Sequence, residues 1–298
     1  MITVFTPTFN RASKVNRVWS SLNSQTIKNF EWIVVDDGSD DEIESVIEGY
    51  KSNSEFQIIF HKFEKNRGKH VAINKGLELA SGKYFLIADS DDAFEANTIE
   101  TFTRIWGDIE KDQYDDFCAV RVCCKDQNGR RVSSKMETYS FDASMQEAIY
   151  KYKFWKESWS MDRTDLMRRN LFPEDHTGYY PEGIIWKRIS RKHKIRFVDE
   201  SLRIYYIESS GIMKNSKLPI DKISRTIVVG KDVLKNDIKY FLFRPRYFVF
   251  ISIVFAFYSL LDKTYLQNLK ALPFFSQALS VFVLPATLLY YFKVRLCN

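Results

Sequence analysis

Asp89-Ser90-Asp91-Asp92 places three carboxylates within four residues, directly after the apolar run Tyr84 to Ala88. Carboxylates this close repel one another unless a cation relieves them. Hard divalent cations prefer oxygen ligands, so the cluster suits a metal that neutralises a phosphate-bearing ligand. On an extended segment alternate residues share a side, so Asp89 and Asp91 are expected to point together. The plain structural alternative is a turn, with Asp92 capping the helix that follows. Two more polar clusters follow apolar, β-branched runs: Thr6-Pro7-Thr8-Phe9-Asn10-Arg11 and Asp36-Asp37-Gly38-Ser39-Asp40-Asp41. A fourth, Asn66-Arg67-Gly68-Lys69, leads into an apolar-periodic stretch.

The intervening sequence has the elements to bring these clusters together. Ile2 to Thr6, Trp32 to Val35, Phe56 to Phe60 and Tyr84 to Ala88 read as strands. Lys14 to Gln25, Asp40 to Tyr50 and Lys69 to Ala80 carry apolar residues at helical spacing. Strands alternating with helices of this length imply βαβ units and a mostly parallel sheet. Ligands of such sheets sit beyond the carboxyl ends of the strands, where three of the four clusters fall. Further on, Phe117 to Cys124 reads as a strand, Asn128-Gly129 as a turn, Ala143 to Tyr150 and Glu182 to Arg191 as helices, and Arg196 to Ile207 as a strand pair.

Composition narrows the classes. The net charge of +6 suits a phosphate-bearing ligand or an anionic membrane surface. No zinc-finger spacing, RNA-binding signature or strongly basic arm points to nucleic acid. The four cysteines, Cys118, Cys123, Cys124 and Cys297, show no metal-binding spacing and read as reduced thiols. No charged leader or apolar signal core precedes the first strand, so catalysis is expected in the cytosol.

After about Phe241 the character changes. Tyr247 to Leu261 and Ala271 to Phe292 are uncharged runs, the second interrupted by Pro273 and Pro285. A bilayer span needs about 20 apolar residues, so the first run is short and the second marginal. Arg244, Arg246, Lys293 and Arg295 flank the runs, as suits contact with anionic lipid. Interfacial or re-entrant helices are expected, at the inner face of the plasma membrane. A spanning hairpin and a buried helical lid are the alternatives.

Taken in order, these segments, with Ala72, Asn74, Gly76 and Ala80-Ser81-Gly82, resemble family 2 glycosyltransferases of the GT-A fold over roughly residues 1 to 210. The resemblance implies an α/β catalytic domain over 1–210, with a Rossmann-like, mostly parallel sheet flanked by helices, and a helical, membrane-associating region over 211–298. It implies inverting transfer of a sugar from a nucleotide-sugar donor, expected to be a UDP-sugar because Asp37 suits a uracil ring N–H, to a hydroxyl of a lipid-linked saccharide in polysaccharide assembly. Pro7, Thr8, Asn10 and Arg11 would line the nucleotide, Asp37 would accept a hydrogen bond from the base, and Asp36 would hold that loop. Asn66 and Lys69 would lie near the base or the phosphates. Asp89, Ser90 and Asp91 would form the donor-side motif, with Asp89 and Asp91 the ligands of Mn or Mg; Asp92 stays an alternative. Matching on Trp186 makes Glu182 the general base that deprotonates the acceptor, with Glu174 and Asp175 in reserve. His176 reads as a loop residue. Trp155, Trp159 and Trp186 either stack on sugar rings or pack in the core. A polyprenyl-phosphate sugar synthase and a non-catalytic membrane scaffold are the rival readings.

Overall fold

The computed structural model describes residues 1–111, 113–175, 180–206 and 219–296, with only the backbone described at 219–221, 290 and 292–296. The chain forms two compact units, Met1–Gly211 and Ile212–Asn298.

In the first unit, β1 (Ile2–Thr8), β2 (Phe30–Asp36), β3 (Gln57–Lys62) and β4 (Tyr84–Ile87) are parallel, in the order β3-β2-β1-β4. Their connections are α1 (Asn16–Asn23), α2 (Ile43–Lys51) and α3 (Lys69–Leu79). Near-continuous burial of β1 and β2 fits strands covered on both faces by helices. Pro7 is tolerated in a central strand because β1 has there run past its pairing with β4, which ends at Phe5↔Ile87. At the opposite edge the buried Glu31 accepts hydrogen bonds from Thr3 Oγ1 (2.5 Å) and the Ser81 N–H (2.6 Å), tying β1, β2 and the start of β4.

The chain then adds β5 (Ala93–Phe94), α4 (Thr98–Glu110), β6 (Phe117–Asp126), β7 (Ser140–Ala143), α5 (Met145–Tyr150), β8 (Ser158–Arg163), α6 (Thr164–Arg168), α7 (Gly183–Ser190) and β9 (Lys194–Tyr205). The sheet continues β4-β8-β6-β9-β5, with β7 also on β9. β8 runs antiparallel to β4 and β6, while β9 is parallel to β6. The expected strand pair at Arg196 to Ile207 is one strand with register shifts against β6. Helix α4 lies outside the elements expected from sequence, yet its buried Ile99, Phe102, Ile105, Trp106 and Ile109 share one helical face. These side chains join Trp32, Trp159 and Met161 in one core. Cys118, Cys123 and Cys124 are buried free thiols of β6; burial pushes the Cys123 thiol up to about 11. Cys297 lies outside the described residues.

The second unit comprises α8 (Pro219–Asp232), a π-helical and a 3-10 segment over 233–243, α9 (Pro245–Leu261), α10 (Tyr265–Lys270), α11 (Phe274–Phe282) and α12 (Leu284–Leu296). Among the described residues no helix is long and apolar enough to cross a membrane. The uncharged run from Ala271 breaks at Val283, between α11 and α12.

Candidate active site

The parallel strands β1, β2 and β4 end on one edge of the sheet, and their trailing loops are laced together there. Asn10 adopts a left-handed conformation (φ 52°). Its N–H donates to Ser39 Oγ (2.8 Å), and its side-chain oxygen accepts from the Asp40 N–H (3.0 Å). The Ala12 N–H donates to Asp41 (2.8 Å). Thr8 Oγ1 is buried at the end of β1 without a hydrogen-bond partner among the described residues.

The two aspartates after β2 act on different neighbours. Asp36 is fully buried and accepts from the Ser39 N–H (3.1 Å), with Lys62 Nζ at 3.7 Å. Asp37 accepts from the backbone N–H groups of Arg67 (2.7 Å) and Gly68 (2.9 Å), so it fixes the loop ahead of α3. Burial raises the Asp37 carboxyl above its usual range, against the pull of those two bonds. Gly38 lets the loops close: its φ is +78°, and an added Cβ would lie 2.6 Å from the Lys65 carbonyl carbon. Asn66 is exposed on that same loop.

The Asp89 cluster is a turn, not the extended segment expected. The Asp92 N–H donates to the Asp89 carbonyl (3.1 Å), reversing the chain over Ser90 and Asp91. The physical cause is Arg203 of β9, whose guanidinium takes both Asp92 (Nε to Oδ2, 2.7 Å) and Asp89 (2.8 Å). Asp91, on the outside of the turn, pairs instead with Arg11 (2.5 Å), and its carbonyl accepts from Arg17 (2.7 Å). Asp92 therefore caps no helix.

Lys69, the first residue of α3, bridges Asp89 (2.7 Å) and Glu182 (2.9 Å). Glu182 sits immediately ahead of α7. Burial opposes the charge on Asp89, but Lys69 and Arg203 outweigh it and hold this carboxyl well below the usual range. Burial likewise opposes the charge on Lys69, but Asp89 and Glu182 hold its ammonium pKa up. Asp92 behaves oppositely: burial outweighs Arg203, and with repulsion from Asp89 pushes the carboxyl up to about 6.

Lys69, Asp89 and Glu182 line a cleft of about 420 Å³. Arg121 and Asp162, on β6 and β8, line its depths. Arg121 donates to Ser158 Oγ (3.1 Å), and Ser160 Oγ donates to Asp162 (2.8 Å). Burial pushes the Asp162 carboxyl up to about 6, with Arg121 opposing. Trp155, Trp159 and Trp186 also line the cleft; Trp159 is largely buried and gives its indole N–H to the Ile87 carbonyl (2.5 Å). Glu174 pairs with Arg67 (2.8 Å) on a separate groove, and Asp175 is exposed. His176 lies outside the described residues.

The site thus joins Asn10, Arg11, Asp36, Asp37, Lys69, Asp89, Asp91 and Glu182 through a continuous set of contacts. Sequence reasoning missed Arg203, Arg121 and Asp162. Only Arg121 carries a local signal, a lone charge amid the apolar residues of β6; Asp162 and Arg203 lie on strands with other charged residues and no flanking motif.

Comparison with known proteins agrees with this architecture. Residues 3–193 match the model of "Glycosyl transferase family 2". Glycosyltransferase GlyG of Streptococcus pneumoniae is 24% identical over 253 residues, covering 78% of this chain and 83% of that protein. The Campylobacter jejuni GalNAc(5)-diNAcBac-PP-undecaprenol beta-1,3-glucosyltransferase is 26% identical over 216 residues, 69% of this chain and 64% of that protein. The chain spans only 28–37% of the length of three uncharacterised Rickettsia glycosyltransferases that it matches at 29% identity. Among solved structures, S. aureus TarS 1-349 in complex with UDP-GlcNAc superposes with a TM-score of 0.62 at 18% identity, covering 93% of this chain and 83% of that one. The mannosyltransferase PcManGT from Pyrobaculum calidifontis, in complex with GDP-Man and Mn2+, gives 0.53 at 17% identity, covering 99% and 79%. These likenesses carry the GT-A fold. On the match over residues 3–193, the chain belongs to glycosyl transferase family 2.

Proposed function

We propose that the protein is an inverting, metal-dependent glycosyltransferase that moves a sugar from a UDP-sugar to a hydroxyl of a lipid-linked saccharide at the membrane surface. The observation that carries this reading is the Glu182–Lys69–Asp89–Arg203 chain of charges, which sets a carboxylate across a cleft from the strand-end loops. The UDP and UDP-GlcNAc complexes of TarS and the undecaprenol-linked acceptor in the Campylobacter enzyme's name support donor and acceptor class.

Residue roles follow from position. The loops at Pro7–Arg11 and Asp36–Asp37 take the nucleoside, with Asn66 at their rim and Ser90 in the adjoining turn. Lys69 and Arg11 already pair with carboxylates of the Asp89 turn, so each can exchange that partner for a diphosphate oxygen. Glu182 takes the proton of the acceptor hydroxyl; that oxygen attacks the anomeric carbon as the diphosphate leaves, and configuration inverts.

The residues fit a divalent cation held largely by the donor. Asp91 is the most exposed carboxylate of the turn (37% of its side chain), with one oxygen on Arg11. Both Asp89 oxygens are on cations, so Asp89 joins Asp91 as a ligand only once Lys69 has moved to the diphosphate. Among the described residues no group of three or more His, Cys, Asp and Glu could hold a metal unaided. One or two carboxylates plus phosphates is the usual Mg or Mn arrangement. Bound there, the cation would neutralise charge on the leaving diphosphate.

Turnover of UDP-sugars with a polyprenyl-diphosphate saccharide, for wild type and Glu182→Gln, tests the proposal. The substitution is expected to lower kcat by about 10²–10⁴-fold with little change in donor KM. Undiminished turnover would remove Glu182 from the mechanism; turnover with a polyprenyl monophosphate as acceptor, indifferent to the substitution, would make the lipid phosphate, which needs no base, the nucleophile.

A further inference from the structure

The second unit has an apolar core at Ile227, Leu234, Phe255 and Leu272, but its helices also bury small polar side chains and leave large apolar ones exposed. On α11, Ser276 and Ser280 are fully buried, while Phe274 is 85% and Phe282 79% exposed. Phe275 and Val281 extend that exposed face. Along α9 the buried stripe is Phe248, Ser252, Phe255, Ala256 and Ser259, again mixing small polar residues into the contact. Thr287 of α12 is fully buried, whereas Leu289 is exposed. α11 buries Leu279 between the two serines, yet its exposed side is apolar where a water-facing helix surface carries polar residues.

The interior contacts are of the kind that holds helices together without a hydrophobic driving force. Ser276 Oγ donates to the Leu234 carbonyl (2.6 Å), and Asn268 donates to Ser259 Oγ (3.3 Å) and Thr264 Oγ1 (2.8 Å). Gly230 of α8 lets α9 approach closely; an added Cβ would lie 3.0 Å from Phe255 Cβ. Small residues at close crossings, joined by side-chain hydrogen bonds, are the packing mode of helices in lipid. Charge points the same way. From Phe241 to the end there are six basic residues, Arg244, Arg246, Lys263, Lys270, Lys293 and Arg295, and one acidic residue, Asp262. No described helix can cross a bilayer, so entry is from one side.

We propose that this unit is a helical module that inserts into one leaflet of an anionic bilayer, entered by the exposed Phe274, Phe275, Val281 and Phe282 face of α11. The inference rests on the membrane-surface reading above and adds the mode of contact: apolar insertion, with basic residues at the headgroups.

The test is co-sedimentation of the full chain with vesicles of phosphatidylcholine and phosphatidylglycerol, at low salt and in about 1 M NaCl, where exposed charges are screened beyond roughly 3 Å. Wild type is expected to bind, and to stay bound at high salt. Phe274→Glu with Phe282→Glu is expected to lower vesicle partitioning at least ~10-fold, since each Phe loses its apolar burial. Both positions are exposed, so folding should be unaffected, checked by unchanged circular dichroism. Phe282→Trp provides a second readout: its fluorescence should be quenched by brominated lipid. Binding that vanishes in high salt and ignores the Glu substitutions would overturn insertion while leaving a surface contact. No vesicle binding by wild type would overturn both readings. A lipid-independent dimer dissolved by Phe282→Glu, without vesicle binding, would assign the face to a second copy instead.

Discussion

Arg203 shows how one side chain can set the chemistry of a motif. Its guanidinium forces Asp89 and Asp92 to one centre, so the Asp89 loop must turn and Asp91 must face outward. Arg203→Met would leave Asp92 buried beside Asp89 without its cation. Removing one partner of a buried ion pair costs about 3–5 kcal/mol, so urea unfolding should register a loss of that order. Arg203→Lys should recover only part of it, because an ammonium cannot reproduce the fork. Asp162 gives a pH signature. Its folded carboxyl is raised to about 6, so ionised Asp162 penalises the folded state at neutral pH, and that penalty fades as pH falls through 6 toward the unfolded value. From pH 7 to 5 the group should return about 1 kcal/mol. Asp162→Asn should remove that gain, read as the difference between the two stability-pH curves; Asp92, pushed up to about 6 by burial, contributes equally to both. Identical slopes would contradict the burial of Asp162's charge.

At the scale of elements, the strand-end loops are held by backbone capture. Asp37 uses its carboxylate to take two N–H groups of the loop before α3. Asp37→Asn turns an acceptor into a donor facing an N–H, a loss of about 1–3 kcal/mol. Donor affinity and thermal stability should fall together; a stability loss with unchanged nucleotide binding would separate the loop from the donor site. Gly82→Ala should be more damaging at the opposite edge, since the new Cβ would lie 2.4 Å from the Thr3 backbone nitrogen. The first four strands and three helices were legible because each carries an unbroken apolar run or a clean helical period, punctuated by Gly and Asp. Strand β8 was not: Ser158-Trp159-Ser160-Met161-Asp162-Arg163 buries polar residues against a cleft, which blurs the apolar alternation. The Asp89 turn was misread as extended because its cause, Arg203, lies more than a hundred residues away. Glu182 was reached only by alignment on Trp186; its bond to Lys69 has no local sequence signal.

At the scale of the molecule, the two units divide the charge and the grease. The first carries the polar loops and the cleft, and the second carries exposed phenylalanines amid basic residues. The composition change near Phe241 makes the second unit legible as apolar helix, but the exposed phenylalanines of α11 depend on which side of each helix faces inward, which the packing of the fold decides. The central claim is that the strand-end loops form a metal-dependent UDP site. Calorimetric titration of UDP, with and without Mn2+, into wild type and Asp91→Ala tests it most directly. Mn-dependent UDP binding that Asp91→Ala abolishes is expected. UDP binding that ignores both the metal and Asp91, or no UDP binding at all, would contradict it.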